Sequence, residues 1–468
     1  MTEQQERASQ QAGRPRQRIR LGAGAGFAGD RIDPAVELAQ YGDLDYLIFE
    51  CLGERTVAAG QSRRREDPGT GYDPLLVARI GAVIDYTLAA GTTIITNGGS
   101  ANPLAAADAV ATMLSGRRLS RSVTIAAVTG DDVTDAIRTI DPLVWETGKP
   151  VSVHATELLS ANAYIGAEAL LPALQRGVDI LIVGRAADPS LYLAPMMHEF
   201  GWDAEDAELL GKGTCVGHLL ECAGQLTGGY FADPGPKDVP GLARLGFPFA
   251  DVSADGSAVV GKLERSGGLL DVRTCREQLL YEVHDPHAYL TPDVTADFSR
   301  VAFTAEAPDR VRVTGPTGSP RPQDLKVSLG FRGGWTGEGQ ISYAGPRAEA
   351  RARLAADVVV ERLQTVHGLS PDALTVELIG TGSAFRGAPG ARGGSDTTIP
   401  EVRLRVSGVL DTQEQAEAVR WEVESLYTNG PAGGGGARGT VTEVVAIRAA
   451  SLPREAVPTS VHIQEVPQ

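Results

Sequence analysis

The chain has 468 residues, a formal net charge of -16 and a sequence pI near 5.0. So large an acidic excess repels a phosphate backbone at long range and argues against nucleic acid as a general partner. Hydrophobic residues make up 42% and charged residues 22%, which is enough to bury a large core in two or three domains, and no apolar run approaches the ~18–20 residues that a membrane helix needs.

Residues 1–17 are polar, lack an apolar core and read as a flexible tail rather than a signal peptide or anchor. From residue 18 to about 185 the pattern alternates strand and helix. Strands are expected at 18–22, 44–50, 92–97, 122–129, 150–154 and 178–184. Most are continuous apolar runs, as in a parallel sheet buried on both faces. Asp33-Pro34 and Asp73-Pro74 read as helix starts, and Gly91 as a helix C-cap. A further helix is expected over 204–226. Residues 241–345 then turn into a mixed β-rich section around one amphipathic helix, TCREQLLYEV, with an exposed proline cluster at 316–322. A helix at 346–366 closes a main domain of residues 18–366. Residues 372–468 read as a separate small α+β domain, with strands at 375–379, 400–409, 440–447 and 461–466 and a helix capped by Thr412. Its glycine-rich loop spans 380–394. The fold class expected is therefore α/β, a mostly parallel sheet with helices on both faces, plus the mixed subdomain and the small terminal domain.

Four features carry candidate chemistry. Gly24 to Gly29 forms a G-x-G-x-x-G after a strand, and Glu50 ends the next strand 21 residues after Gly29, where a ribose-binding acid would sit. The helix begins only near Asp33, so the same glycines, Gly24, Gly26 and Gly29, read equally as a loop that offers N–H groups to a phosphate or carboxylate, or as a plain turn. Second, Glu50, Asn97, Asp131, Asp132, His154, Arg185 and Asp188 stand at or just past strand ends, where open parallel sheets bind ligands. Each has a structural alternative: a helix cap for Asp131 or Asp132, a satisfied structural histidine for His154, and a simple ion pair for Arg185 with Asp188.

Third, Cys215, His218 and Cys222 share a helical face, which reads as small-residue packing rather than a zinc site, and no metal is assigned. Glu221 lies off that face and is expected to reach the site. Fourth, His284-Asp285 is either an acid–base pair or a histidine placed favourably at a helix end. No G-x-S-x-G, H-E-x-x-H or P-loop motif occurs. The four cysteines form no C-x-x-C pair and fit a reducing, cytoplasmic compartment.

The blocks GAGAGFAGDRIDPAVELAQYGDLDYLIFECLGERT, TNGGSANP, VTGDD, GRAADPSLYLAPMMHEFGW, GHLLECAGQLTGGYFADPG, EQLLYEVHDPHAYLTPDV and GEGQISYAGP occur in that order. Together they make the sequence resemble the acyclic terpene utilisation (AtuA) family over most of residues 18–365. The resemblance implies a ferredoxin-like domain at the C-terminus and a place among enzymes that degrade citronellol- and geraniol-type terpenoids through acyl-CoA intermediates. It transfers no residue as a known catalyst.

By subtraction, the residues suit lyase- or hydratase-type acid–base chemistry on an acyclic terpenoid or branched acyl substrate, possibly a CoA ester. Glu50, Asp131, Asp132, His154 and Asp188 are the catalytic candidates. Gly24, Gly26, Gly29, Asn97, Arg185 and Glu221 are the substrate-binding ones. An NAD(P)- or flavin-dependent oxidoreductase and a non-catalytic binding or assembly subunit stay open, and no cofactor is assigned. The expected partner is a small-molecule substrate, with neither nucleic acid nor membrane, and a homo-oligomeric state is expected.

Overall fold

The computed structural model describes residues 16–385 and 399–468. The chain divides into two compact units, residues 1–330 with 447–468, and residues 331–446. Among the described residues, no helix is long and apolar enough to cross a membrane.

The first unit begins with β1 (Arg18–Gly26), α1 (Asp33–Tyr41), β2 (Tyr46–Glu50), α2 (Glu54–Glu66), α3 (Leu76–Ala90), β3 (Thr93–Thr96), α4 (Pro103–Ser115), β4 (Val123–Thr129) and α5 (Thr134–Ile140). It continues through β5 (Leu158–Ala163), α6 (Leu171–Leu174), β6 (Ile180–Val183), α7 (Asp188–Phe200), α8 (Ala207–Glu221), β7 (Pro248–Ser253), β8 (Ala258–Lys262) and α9 (Val272–Leu280). Short strands follow: β9 (Tyr289–Leu290), β10 (Thr295–Asp297), β11 (Ala302–Ala307), β12 (Arg310–Thr314) and β13 (Thr317–Ser319). β14 (Asp324–Ala344) runs on into the second unit, which adds α10 (Ala348–Thr365), β15 (Leu374–Ile379), β16 (Glu401–Leu410), α11 (Gln413–Glu424), α12 (Leu426–Asn429) and β17 (Gly434–Pro453). The chain ends on β18 (Ser460–Val466) in the first unit.

The main sheet has ten strands in the order β11-β12-β8-β7-β1-β2-β3-β6-β4-β18. Its middle, β1-β2-β3-β6-β4, is parallel throughout. β2 (YLIFE) and β6 (ILIV) are buried along their whole length, which requires cover on both faces and explains why they carry no alternation. The helices supply that cover. α1 packs on β1 and joins α3, which joins α4, while α7 and α8 pack on each other and on β1.

The sheet is less parallel than expected. β7, β8, β12 and β11 extend it antiparallel beyond β1, and β18 adds antiparallel to β4. Much of the section read as a mixed subdomain is thus an arm of the main sheet. The last strand, read as part of the terminal domain, pairs residue by residue with β4 from Ser460–Thr129 to Val466–Val123.

The strand expected at 150–154 is a 3-10 turn, Val151–His154, because Pro150 and an exposed Val153 leave no continuous buried ladder there. The strand that follows, β5, pairs with β14 and stays off the main sheet. The boundary expected between 366 and 372 falls inside the second unit, because Ala348, Ala352, Ala355, Val359 and Leu363 of α10 are buried in that unit's core. That unit is a sheet in the order β15-β16-β14-β17, with β16 antiparallel to both neighbours. From residue 386 onward, the glycine-rich loop at 380–394 lies outside the described residues, as do residues 1–15 of the tail.

The first strand is longer than expected, and this changes the reading of the glycines. Gly22, Gly24 and Gly26 lie in β1 rather than in a loop. A Cβ at Gly24 would meet the Phe49 ring at 2.7 Å, and one at Gly26 would meet the Cys222 backbone at 2.5 Å. Both glycines are therefore packing positions. The Gly26 N–H donates to Asp30 at 2.9 Å, so it is already taken. Overpacking of this kind costs about 1–3 kcal/mol. Gly26→Val is expected to lower the urea midpoint by a corresponding amount; an unchanged midpoint with ligand binding lost would restore the anion-loop reading.

Candidate functional site

Parallel strands that share a direction deliver their carboxyl ends to one edge of the sheet. In register, Gly26 at the end of β1 stands opposite Glu50 at the end of β2. The Glu50 carboxylate accepts the Leu52 N–H at 2.6 Å and the Asn97 amide at 3.0 Å. Asn97, just past β3, also accepts the Cys51 N–H at 2.7 Å and so locks the β2 end in place. Burial pushes Glu50 well above the usual carboxylate range and the charge of Asp188 pushes the same way, against the opposing pull of Arg185 and Asn97.

Arg185, two residues past β6, is 1% exposed. Its guanidinium bonds the carbonyls of Ala186 (3.0 Å) and Leu52 (3.2 Å), pairs with Asp188 at the start of α7 and lies 4.4 Å over the Tyr164 ring. So committed a cation holds the loops together; it is the ion-pair alternative, rather than an open anion clamp, that the geometry favours. Lys326 in β14 is a more accessible cation of the same cavity. It pairs with Glu54 at 2.8 Å, and Glu54 also accepts from the Tyr164 hydroxyl at 2.9 Å and Ser328 at 3.3 Å. Burial alone would raise Glu54, but Lys326 and Tyr164 outweigh it and hold the carboxyl below its ordinary value.

These groups surround a cavity of about 1350 Å³. Glu50, Glu54, Arg185, Asp188, Glu221 and Lys326 line it with Phe27, Leu52, Leu242, Leu245, Phe247 and Leu290. The polar groups are few and the walls largely apolar, as in a small-molecule site. The segment Phe27–Asp30 forms part of the wall and is anchored from behind. The buried Arg79 guanidinium, paired with Asp73, bonds the carbonyls of Phe27 (3.3 Å), Ala28 (2.7 Å) and Asp30 (3.4 Å). Two lining residues, Tyr230 (φ 60) and Glu282 (φ 59), hold left-handed backbone that non-glycine residues seldom adopt.

The structure brings Glu50, Arg185, Asp188, Glu221 and Gly26 together at this cavity, with Asn97 one bond behind. Gly24, Gly29, Asp131, Asp132, His154, His284 and Asp285 are not among its lining. Asp132 precedes the N-cap Val133 of α5 and accepts the Thr134 N–H (3.3 Å) and hydroxyl (2.8 Å), a local turn at the helix start. His154 sits in an exposed 3-10 turn, 3.5 Å from Glu157, so the strand-end argument for it does not apply. Asp131 is buried and accepts the Arg185 N–H (2.9 Å) and the Asn162 amide (2.9 Å), supporting the loop that carries Arg185. The dinucleotide arrangement is also unfavourable, because the Asp30 carboxylate occupies the Gly26 N–H and α1 starts only at Asp33. Glu54, Tyr164 and Lys326 were missed. Glu54 stands in the same block as Glu50, ECLGERT, but Lys326 lies in an ordinary β run with no signal beside it.

This is an α/β protein with a cavity at the carboxyl ends of the parallel strands of a mixed sheet. The chain belongs to the acyclic terpene utilisation family, AtuA, whose family model matches residues 19–463. Neither curated proteins nor solved structures give a match.

Burial raises Asp131 from 3.8 to about 6. A carboxyl raised in the folded state favours folding while protonated, and that contribution is lost as pH rises from about 4 through 6. Asp131→Asn is therefore expected to flatten the fall in Tm across that window relative to the unsubstituted protein, with ligand affinity kept within a few-fold. Unaltered pH dependence of Tm, or lost binding in a folded variant, would contradict a supporting role.

Proposed function

We propose that the protein is an enzyme of acyclic terpene utilisation that carries out lyase- or hydratase-type acid–base chemistry on a branched acyl substrate such as a CoA ester. The observation that carries this reading is the meeting, in one largely apolar cavity, of the buried Glu50 carboxyl with the Lys326–Glu54–Tyr164 cluster. The family supports a role in acyclic terpene use. Burial raises the Glu50 carboxyl well above the usual carboxylate range, which brings it nearer the range in which a general acid or base works best. Lys326 is half-exposed and lines the cavity, so its remaining donors can hold a carbonyl or carboxylate oxygen and stabilise an enolate. Phe27, Leu242, Leu245, Phe247 and Leu290 offer a wall for a branched chain. In the hydratase form, water adds across an activated double bond. The acid gives a proton to one carbon, water gives hydroxide to the other and its remaining proton to a carboxylate of the site, and reversal of the step eliminates water.

We also infer that residues 331–446 form a ferredoxin-like domain. The order β14-α10-β15-β16-α11-β17 and the sheet order β15-β16-β14-β17 both support it.

With a geranyl-type acyl-CoA as substrate, Glu50→Gln is expected to lower kcat by ~10²–10⁴-fold with little change in binding. Lys326→Ala is expected to weaken binding and to lower kcat/KM. Stopped assays with product detection by mass spectrometry, run beside calorimetric titration, check both. Tight binding with no loss of turnover in Glu50→Gln would remove the acid–base assignment, and failure to bind any branched acyl-CoA or terpenoid acid would remove the substrate class.

A further inference from the structure

His218 and Glu221 lie one turn apart on α8, and both are buried. His218 Nε2 is 3.1 Å from the Leu279 carbonyl oxygen. A carbonyl only accepts, so Nε2 carries a hydrogen. His218 Nδ1 is 2.8 Å from Glu221 Oε1. A hydrogen must lie between those two atoms as well, since two lone pairs would otherwise face each other. It sits either on Nδ1, giving imidazolium and carboxylate, or on Oε1, giving neutral imidazole and carboxylic acid. The pair thus holds one proton beyond a neutral histidine and a carboxylate, and either arrangement has no net charge, which is the form that burial favours.

The ring is packed in an aromatic cluster: Phe298 stacks on it with centroids 5.5 Å apart, Tyr289 lies tilted beside it at 5.1 Å, and Tyr289 and Phe298 stack on each other. The second Glu221 oxygen, Oε2, is buried with no partner among the described residues, and Glu221 lines the cavity. An orphaned buried carboxyl oxygen at a cavity wall is the position where a ligand atom completes the hydrogen bonding.

We infer that His218 and Glu221 are a proton-sharing pair in which Glu221 presents a proton to the occupant of the cavity and His218, which does not reach the cavity, positions and recharges it. Its catalytic meaning rests on the acid–base reading proposed above; the sharing of the proton does not. The groups that face Glu221 from the packed elements are Asp188 and Tyr192 on α7, Cys222 beyond its own helix, Glu282 after α9 and Tyr289 on β9. None of these is a cation, and Arg185, which also lines the cavity, is paired with Asp188. Burial pushes Glu221 up to about 7, with Asp188 and Glu282 adding to the rise and His218 opposing it.

The test uses the full-length protein labelled with ¹⁵N-histidine, the His218 signals being assigned by their loss in His218→Asn. Below about pH 7 the expected spectrum shows Nε2 protonated and Nδ1 shifted by a shared hydrogen, and in Glu221→Gln a neutral ring protonated on Nε2 alone. A ring protonated on Nδ1 alone, or a spectrum unchanged by Glu221→Gln, would overturn the pair. With a geranyl-type acyl-CoA, Glu221→Gln is expected to lower kcat by ~10²–10⁴-fold with Kd within about threefold. His218→Asn is expected to move the basic limb of the kcat profile to higher pH, because burial, Asp188 and Glu282 then raise Glu221 unopposed. An unaltered kcat in Glu221→Gln, or an unmoved limb in His218→Asn, would remove the catalytic role. Should no acyl-CoA bind the unsubstituted protein, the substrate reading fails while the spectra still decide whether the proton is shared.

Discussion

Hydrogen bonding between strands that all run one way is the constraint on which the site depends. β1, β2, β3, β6 and β4 pair in parallel, and each must therefore end on the same edge. The chain leaves that edge at Gly26, Glu50, Asn97 and Arg185, which explains how residues far apart in sequence reach one region. The antiparallel arm and β18 lengthen the sheet on both sides, so the parallel run is interior and its strands are covered on both faces. Burial of the strands then becomes burial of the groups at their ends. Glu50 and Asn97 sit 5% and 0% exposed because β2 and β3 do.

Desolvation at that edge sets the chemistry. A buried carboxyl either finds a cation or keeps its proton. Asp188 takes the first course with Arg185, and Glu54 takes it with Lys326. Glu50 takes the second, held by an amide and a backbone N–H, while Glu221 shares a proton with a histidine whose second nitrogen is tied to a carbonyl. The cavity thus combines two carboxyls suited to moving protons with a half-exposed lysine paired to Glu54. The strained backbone at Tyr230 and Glu282 lies on the same wall, where conformational cost is commonly tolerated for function.

Much of the first unit was legible in the sequence, for identifiable reasons. YLIFE, TTIITN and DILIVG are continuous apolar runs of strand length, and their ends named Glu50, Asn97 and Arg185. Capping chemistry located two helix ends well: Thr412 caps α11 through the Gln415 N–H, and Gly91 ends α3 at φ 74. The errors also have causes. PVSVH carries the apolar residues of a strand but begins on a proline and turns instead, which removed His154 from the edge. The glycines of β1 suggested a loop, whereas they make room for Phe49 and the Cys222 backbone, a requirement set by partners distant in sequence. β18 could not be assigned to β4, because nothing local tells a strand which sheet it will join. Lys326 and Tyr164 were invisible for the same reason, since their roles arise from pairing with Glu54 and not from any spacing.

The central claim is that the ligand occupies the cavity at the carboxyl edge of the parallel strands. Hydrogen–deuterium exchange of the full-length protein, with and without a branched acyl-CoA at saturating concentration, tests it most directly, because it reports where binding slows backbone opening without relying on turnover. Protection gathered in residues 27–31, 52–56, 222–230 and 281–292, the segments that line the cavity, is the result the account predicts. Protection confined to residues 331–446, or absent from all four of those segments while the ligand is bound, would contradict it.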